Sequence, residues 1–322
     1  AVVCTLAVLL IVCWTFTATA QEAGGGVAVE GGFAKLGEDF FAVPRVEAGY
    51  AWRVPAIACE DGADCRTSLR LEGQLPVRLR LIDRDPASDS LFRDADWDEP
   101  SDWFRVVRRV EYGDPREPMH VRMGPLGPTS IGHGTLFNDY YNSVSEDHFR
   151  LGASATFTTR YGGVEMLLND VIAPSVMGSR IFVRPASFFG ASWAERIAIG
   201  GSVAVDARAP TRLATAPDGG LAVGNDRAPK VVDSTSTAML GIDAELSLFE
   251  TDEFSVVPYV DYNTHLGFGS GVHAGSFFRF EMQDTFSVEV RGEYRQTSDR
   301  YIADYFGPLY EIDRSPHIDH LT

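Results

Sequence analysis

The segment Thr285–Arg295 reads T-F-S-V-E-V-R-G-E-Y-R. Side chains on a β-strand alternate between its two faces. One face here carries Phe286, Val288, Val290 and Tyr294, and the other carries Ser287, Glu289, Arg291, Glu293 and Arg295. One face is therefore oily and the other ionic. Wrapped around a closed sheet, this pattern places lipid outside and a polar lumen inside.

The pattern recurs along the chain. Leu69, Leu71, Leu75, Val77, Leu79 and Leu81 oppose Arg70, Glu72, Gln74, Arg78 and Arg80, and Phe104, Val106, Val110 and Tyr112 oppose Arg105, Arg109 and Glu111. In the second half, Val164, Met166 and Leu168 oppose Glu165, and Ile181 and Val183 oppose Arg180 and Arg184. Leu240, Ile242, Leu246 and Leu248 oppose Asp243, Glu245 and Ser247. Val272, Phe278, Phe280 and Met282 oppose His273, Arg279 and Glu281. Helical periodicity is nearly absent, and Gly, Pro and Asp/Asn clusters punctuate the chain at strand-length intervals. The expected fold is an all-β, transmembrane, antiparallel up-and-down barrel of roughly 12 to 15 strands.

Alternation also fits a secreted β-sandwich, whose strands likewise have one apolar face. Three features favour the membrane barrel. The polar face is ionic on strand after strand. Tyr50, Trp52, Tyr112, Tyr262 and Tyr294 sit near strand ends, as an interfacial girdle requires. Short turns at 252–253 and 283–284 alternate with long connections at 83–103, 124–148, 207–236 and 296–320.

Residues 1–20 are uncharged and mostly apolar and end in Ala18-Thr19-Ala20, which predicts a signal peptide cleaved after Ala20, with 21–322 forming the barrel domain. The start lacks Met and a basic segment, and no closing strand is evident beyond Gln296, so we expect further sequence at both ends. The predicted location is the outer membrane of a Gram-negative bacterium. Net charge of −17 argues against nucleic acid as a partner. Hydrophobic content of 45% leaves the membrane open, because barrels hide their apolar residues in alternation. The expected partners are outer-membrane lipid and a small polar solute. No cofactor is expected.

In an oxidising compartment Cys59 and Cys65 are expected to close a short loop as a disulfide. The acidic stretch 83–102 opens with an EF-hand rhythm at Asp94, Asp96 and Asp98, but Glu99 replaces the turn glycine and Arg105 the closing glutamate. That leaves an irregular Ca²⁺ site or a solvated acidic loop.

The ionic face supplies the lumen candidates: Arg78, Arg80, Arg105, Arg109, Arg122, Glu165, Arg180, Arg184, Asp243, Glu245, Arg279, Glu281, Glu289, Arg291 and Glu293. Charges are costly against lipid, so each belongs inside. Mixed signs there build either a field across a pore or ladders that close it. The stretch Gly132-His133-Gly134, with Asp147 and His148, offers a loop that could constrict the lumen. A metal site at His133, Asp147 and His148 would need convergence that the sequence does not fix. Ser130 and His133 form a nucleophile–base pair only on paper, since no G-x-S-x-G elbow surrounds the serine.

Around Gly132-His133-Gly134-Thr135-Leu136, Tyr140-Tyr141-Asn142, Gly163-Val164-Glu165 and Gly178–Pro185 the chain resembles uncharacterised outer-membrane barrel proteins of myxobacterial type. The resemblance spans roughly residues 66–210. It implies a cell-envelope barrel in which the Gly-His-Gly loop is a family feature, and it carries over no activity. The leading expectation is a porin-like channel. The rivals are a non-conducting anchor or surface-binding barrel, a membrane-embedded hydrolase using His133, and a soluble sandwich.

Overall fold

The computed structural model describes residues 24–319 apart from 37–38, 58–64, 85–89, 94–95, 99–101, 144–147, 190–195, 218, 225–228, 252 and 283–285. The signal segment, Cys59, Asp94 and Asp147 lie outside the described residues. So do most of the short turns at 252–253 and 283–284. Cys65 is disulfide-bonded. No described helix is long and apolar enough to cross a membrane.

The strands in chain order are β1 (Gly24–Leu36), β2 (Asp39–Pro55), β3 (Arg66–Pro76), β4 (Leu79–Ile82), β5 (Val107–Tyr112), β6 (Met119–Gly124), β7 (Gly152–Thr159), β8 (Gly162–Leu168), β9 (Val176–Val183), β10 (Ile197–Leu213), β11 (Val231–Leu246), β12 (Phe249–Glu250), β13 (Phe254–His265), β14 (Gly269–Met282) and β15 (Phe286–Thr297). A single α-helix, α1 (Tyr310–Asp319), follows. The architecture is the expected all-β antiparallel up-and-down arrangement.

The chain forms two compact units, one from residues 24–53 and 68–110, the other from 54–67 and 111–319. In the first, the strands run β1-β2-β3-β5, with β4 also paired to β2. In the second they run β6-β7-β8-β9-β10-β11-β13-β14-β15, with β12 beside β13. Neighbours in sequence are neighbours in space, which short antiparallel connections dictate. Within the second unit, β15 pairs with β14 alone among the described strands, so this run does not close on itself.

One expected long connection is shorter than the sequence indicated. Residues 207–236 were expected to be loop, yet β10 continues to Leu213 and β11 starts at Val231. Register shifts at Asp206/Ala209 and Pro210/Arg212 let the ladder absorb Pro210. A proline cannot donate to a ladder, and a bulge is where a strand tolerates one.

In the second unit charged side chains of the strands turn toward the interior. Ile181, Val183, Leu240, Ile242, Val260, Tyr262 and Val272 are exposed, whereas their neighbours Arg180, Asp243, Asp261 and His273 are buried. The buried face is covered by residues 124–142 and by the stretch 301–314 that follows β15. These two segments are hydrogen-bonded together: Asn138 N–H donates to the Phe306 carbonyl and Phe306 N–H to the Leu136 carbonyl, both at 3.1 Å. Phe137 and Phe306 stack at 4.5 Å. Leu126, Ile131, Leu136, Phe137, Tyr140, Tyr301, Tyr305, Phe306 and Tyr310 from these segments join Leu167, Val176, Ala204 and Met239 of the strands in one buried cluster. Small residues on the inner face make the room. A Cβ on Gly178 would lie 2.5 Å from the Phe137 ring and 2.6 Å from Ile131.

Candidate functional site

The polar heart of the second unit is built around His133. Its loop is folded upon itself, with Thr129 and Tyr140 exchanging backbone hydrogen bonds at 2.9 and 3.2 Å. Gly132 turns the chain with φ of 56°, a conformation side chains resist. A Cβ there would also sit 2.8 Å from the Arg180 side chain. Glycine is needed at this point for both reasons.

This turn drives His133 between two strands. Its Nδ1 lies 2.8 Å from Asp261 on β13 and its Nε2 2.7 Å from Glu245 on β11. The imidazole stacks on Tyr259, with ring centroids 4.3 Å apart and planes 6° from parallel. Thr135 donates to the other oxygen of Asp261 at 2.6 Å. Gly132 N–H donates to Glu165 of β8 at 2.7 Å.

Burial alone would lower the His133 pKa. The hydrogen bonds to Asp261 and Glu245, and then their charges, outweigh it and raise the value to about 9. The ring is an imidazolium at neutral pH, donating from both nitrogens.

Arg180 of β9 completes the layer. It donates to Asp243 from Nε at 3.1 Å and Nη2 at 2.6 Å, to Glu165 at 3.0 Å and to Glu245 at 3.3 Å. Gly200 on β10 makes room for the Asp243 carboxylate, because a Cβ there would lie 2.6 Å from Asp243 Oδ1. On the far side, a Cβ on Gly134 would be 3.1 Å from Arg291 of β15. A flat sheet would separate β8 from β15 by six strand spacings, about 29 Å. Residues 132–134 touch side chains from both, so the sheet of this unit curls around the loop.

The second ionic group lies beside the first. Arg291 donates to the Tyr259 hydroxyl at 2.8 Å and also contacts Glu293. Glu293 is further held by His273 at 3.1 Å and by Arg295. The third group anchors the tail. Buried Asp206 on β10 accepts from Tyr310 at 2.7 Å and from Arg314 of α1 at 2.7–3.1 Å. Tyr140 donates to Glu311, and its hydroxyl pKa is raised, first by burial and then by the Glu311 charge.

The remaining candidates fall in several places. Arg279 pairs with Glu289 at 3.2 Å and Glu281 with Arg116 at 2.9 Å. Arg184 reaches the Thr159 carbonyl at 2.7 Å, and Arg122 the Pro125 carbonyl at 3.2 Å. In the first unit, Arg78 meets Asp96 at 2.8 Å, Arg105 meets Asp102 at 2.7 Å, Arg80 meets Asp39 at 3.3 Å and Arg109 meets Glu72 at 3.5 Å. Arg78 and Arg105 stand outside the strands, in the connections that flank them. Asp96, a member of the EF-hand rhythm, also meets Arg93 at 2.7 Å, so its carboxylate is already held by guanidinium groups.

His148 lies 3.9 Å from Glu311 rather than with His133. The acidic and histidine ligand atoms that do converge among the described residues belong to His133, Asp243 and Asp261. Arg180 and His133 already satisfy those carboxylates. Ser130 engages Asp139, accepting its N–H at 2.9 Å, so the serine–histidine pair is not assembled. The arrangement is chemically a charge-compensated brace between loop and strands.

Asp261, Tyr259, Thr135 and the Asp206–Arg314 pair were not among the sequence candidates. Asp261 was legible in principle, since it alternates with Val260 and Tyr262. No protein-family model, curated protein or solved structure matches this chain.

Proposed function

We propose that this chain is an outer-membrane β-barrel protein of the non-conducting kind, an anchor or surface-binding barrel whose second unit is filled by its own loop and tail. One observation carries the membrane reading. On β9, β11 and β13 Ile181, Val183, Leu240, Ile242, Val260 and Tyr262 are exposed, while Arg180, Asp243 and Asp261 between or beside them are buried. In water that sorting leaves apolar surface uncovered and charges desolvated. Against acyl chains it is the favourable one.

The filling supports the closed reading. Nine large apolar residues of the two segments enter the buried cluster. At about 1.5–3 kcal/mol for each side chain, expelling them costs on the order of 15 kcal/mol, as much as a whole domain's stability. A gate that must open needs a weaker seal.

The porin-like channel is the second reading, favoured by the mixed-charge opening beneath His133. Planar-bilayer recording separates the two. The closed barrel gives no current above lipid alone, and steady unitary conductance would establish the channel instead. Heat-modifiable gel migration and a requirement for detergent test the membrane reading itself. A chain that stays monodisperse in detergent-free buffer would defeat it.

A further inference from the structure

We propose that the open end of the second unit's interior is a binding pocket for a small hydrophilic oxyanion, carboxylate or phosphate, with Arg184 as its principal contact. The cavity has a volume of about 670 Å³, which is the size of a small-molecule site. Gly132, His133, Glu165, Arg180 and Glu245 line it. Behind that layer lies the apolar cluster of loop and tail, so a ligand enters and leaves by the same mouth.

The charges on the lining decide what fits. Arg180 is committed to Asp243, Glu165 and Glu245. Arg279 is committed to Glu289, and Arg116 to Glu281. Arg184 is different. One nitrogen donates to the Thr159 carbonyl, and the guanidinium carbon lies 5.2 Å from the centroid of the Phe182 ring. No described carboxylate forms an ion pair with it. Glu245 senses its charge but is bonded to His133 and Arg180.

Arg160, on the same lining, contacts the Tyr161 ring at 4.6 Å and likewise has no described acid partner. Glu117 accepts from Thr67, and Glu250 stands exposed in β12. Neither answers Arg184. A guanidinium steadied by a ring and one carbonyl still presents N–H groups in a planar fork, and an oxyanion accepts such a fork bidentately. The hydroxyls of Thr156 and Thr158, also on the lining, supply further donors. A cationic ligand would meet two guanidinium groups, and a neutral one would leave both unanswered.

Isothermal titration of the purified full chain with inorganic phosphate and with glycerol 3-phosphate tests this. Saturable binding of one equivalent is expected, weakened at least ~10-fold in Arg184→Gln, the loss that goes with one charge-assisted bidentate contact. Arg184→Lys keeps the charge and is expected to fall between the two. Arg212→Gln removes an exposed guanidinium at the other end of β10, paired with Asp233, and should leave binding unchanged. An unaltered thermal transition in each variant shows that the fold is intact. Absence of saturable heat with both probes would overturn the proposal, as would equal losses in the Arg184 and Arg212 variants. A short-chain phosphatidylglycerol, titrated below its micelle concentration, distinguishes the source of the anion. Binding of that lipid alone, with neither soluble probe, would also overturn it. The titration reads the pocket whether or not the chain enters a bilayer, so its outcome is independent of the barrel proposal.

Discussion

His133 and Asp261 stand 128 positions apart in the chain and meet at 2.8 Å inside the second unit. The contact ties a loop to the middle of β13. Both partners are almost fully buried, so neither can fall back on water when the other is lost. Removing one partner of a buried charged pair costs about 3–5 kcal/mol, mostly through the charge left behind. His133→Gln and Asp261→Asn should each destabilise the protein by that order, whereas the double variant should lose less than the sum. Chemical denaturation of all four forms closes the cycle, and strictly additive losses would mean that the pair is not coupled.

The same pair gives stability a pH dependence. In the folded protein the His133 pKa is raised to about 9 from an ordinary 6.5. A raised folded pKa contributes stability that is complete below the unfolded value and is lost as pH climbs through the folded one. The shift corresponds to a contribution on the order of 3 kcal/mol. The wild type should therefore lose stability between about pH 6.5 and 9 relative to His133→Gln, which carries no titrating ring. Unfolding midpoints recorded for both forms across that window check this. Parallel curves would place the imidazole in an unshifted environment.

The strand wall was legible because period-two alternation is a local signal. Ile181 and Val183 against Arg180, or Leu240 and Ile242 against Asp243, declare their faces within a few residues. Glu165, Arg180, Asp243 and Glu245 carry the polar half of that alternation, and with His133 of the loop they converge. What was hidden is long-range. Nothing near Arg314 indicates that it turns back to Asp206, 108 positions earlier. Nothing near Tyr301 or Tyr305 marks them as interior packing rather than as part of a polar loop. Tyr301 fills the hole left by Gly271, as Phe137 fills that of Gly178, and a glycine in a strand reads locally as weakness rather than as a socket.

That socket gives the next prediction. A Cβ on Gly178 would fall 2.5 Å from the Phe137 ring, closer than real contacts allow. Gly178→Val fills the hole and adds a branched side chain on a face already packed. Overpacking of this kind costs about 1–3 kcal/mol. The loop, rather than the strand, is expected to yield, since β9 is held on both sides by β8 and β10. Limited proteolysis should then cut within residues 124–142 in Gly178→Val while the wild type resists. Cutting in β9 instead would show that the ladder, not the seal, is the weaker element.

The environment of the outer face can be tested with one side chain. Ile242 is 65% exposed in the C-terminal half of β11, between Gly241 and Asp243 that face inward. In a water-soluble sheet Ile242→Arg would alter stability by no more than about 0.5 kcal/mol, because surface substitutions away from special features seldom do more. On a lipid-facing strand near the bilayer midplane the same change costs about 2–4 kcal/mol, and less toward either interface. The two environments therefore predict effects that differ several-fold for an identical substitution. Reversible unfolding from lipid vesicles, with Ile242→Arg and Ile242→Ala beside the wild type, separates the charge from the lost aliphatic volume. A penalty of the larger size in the arginine form, well beyond that of alanine, fits acyl chains at this face. A near-neutral arginine would mean that water, or a protein partner with room for a guanidinium, covers it instead.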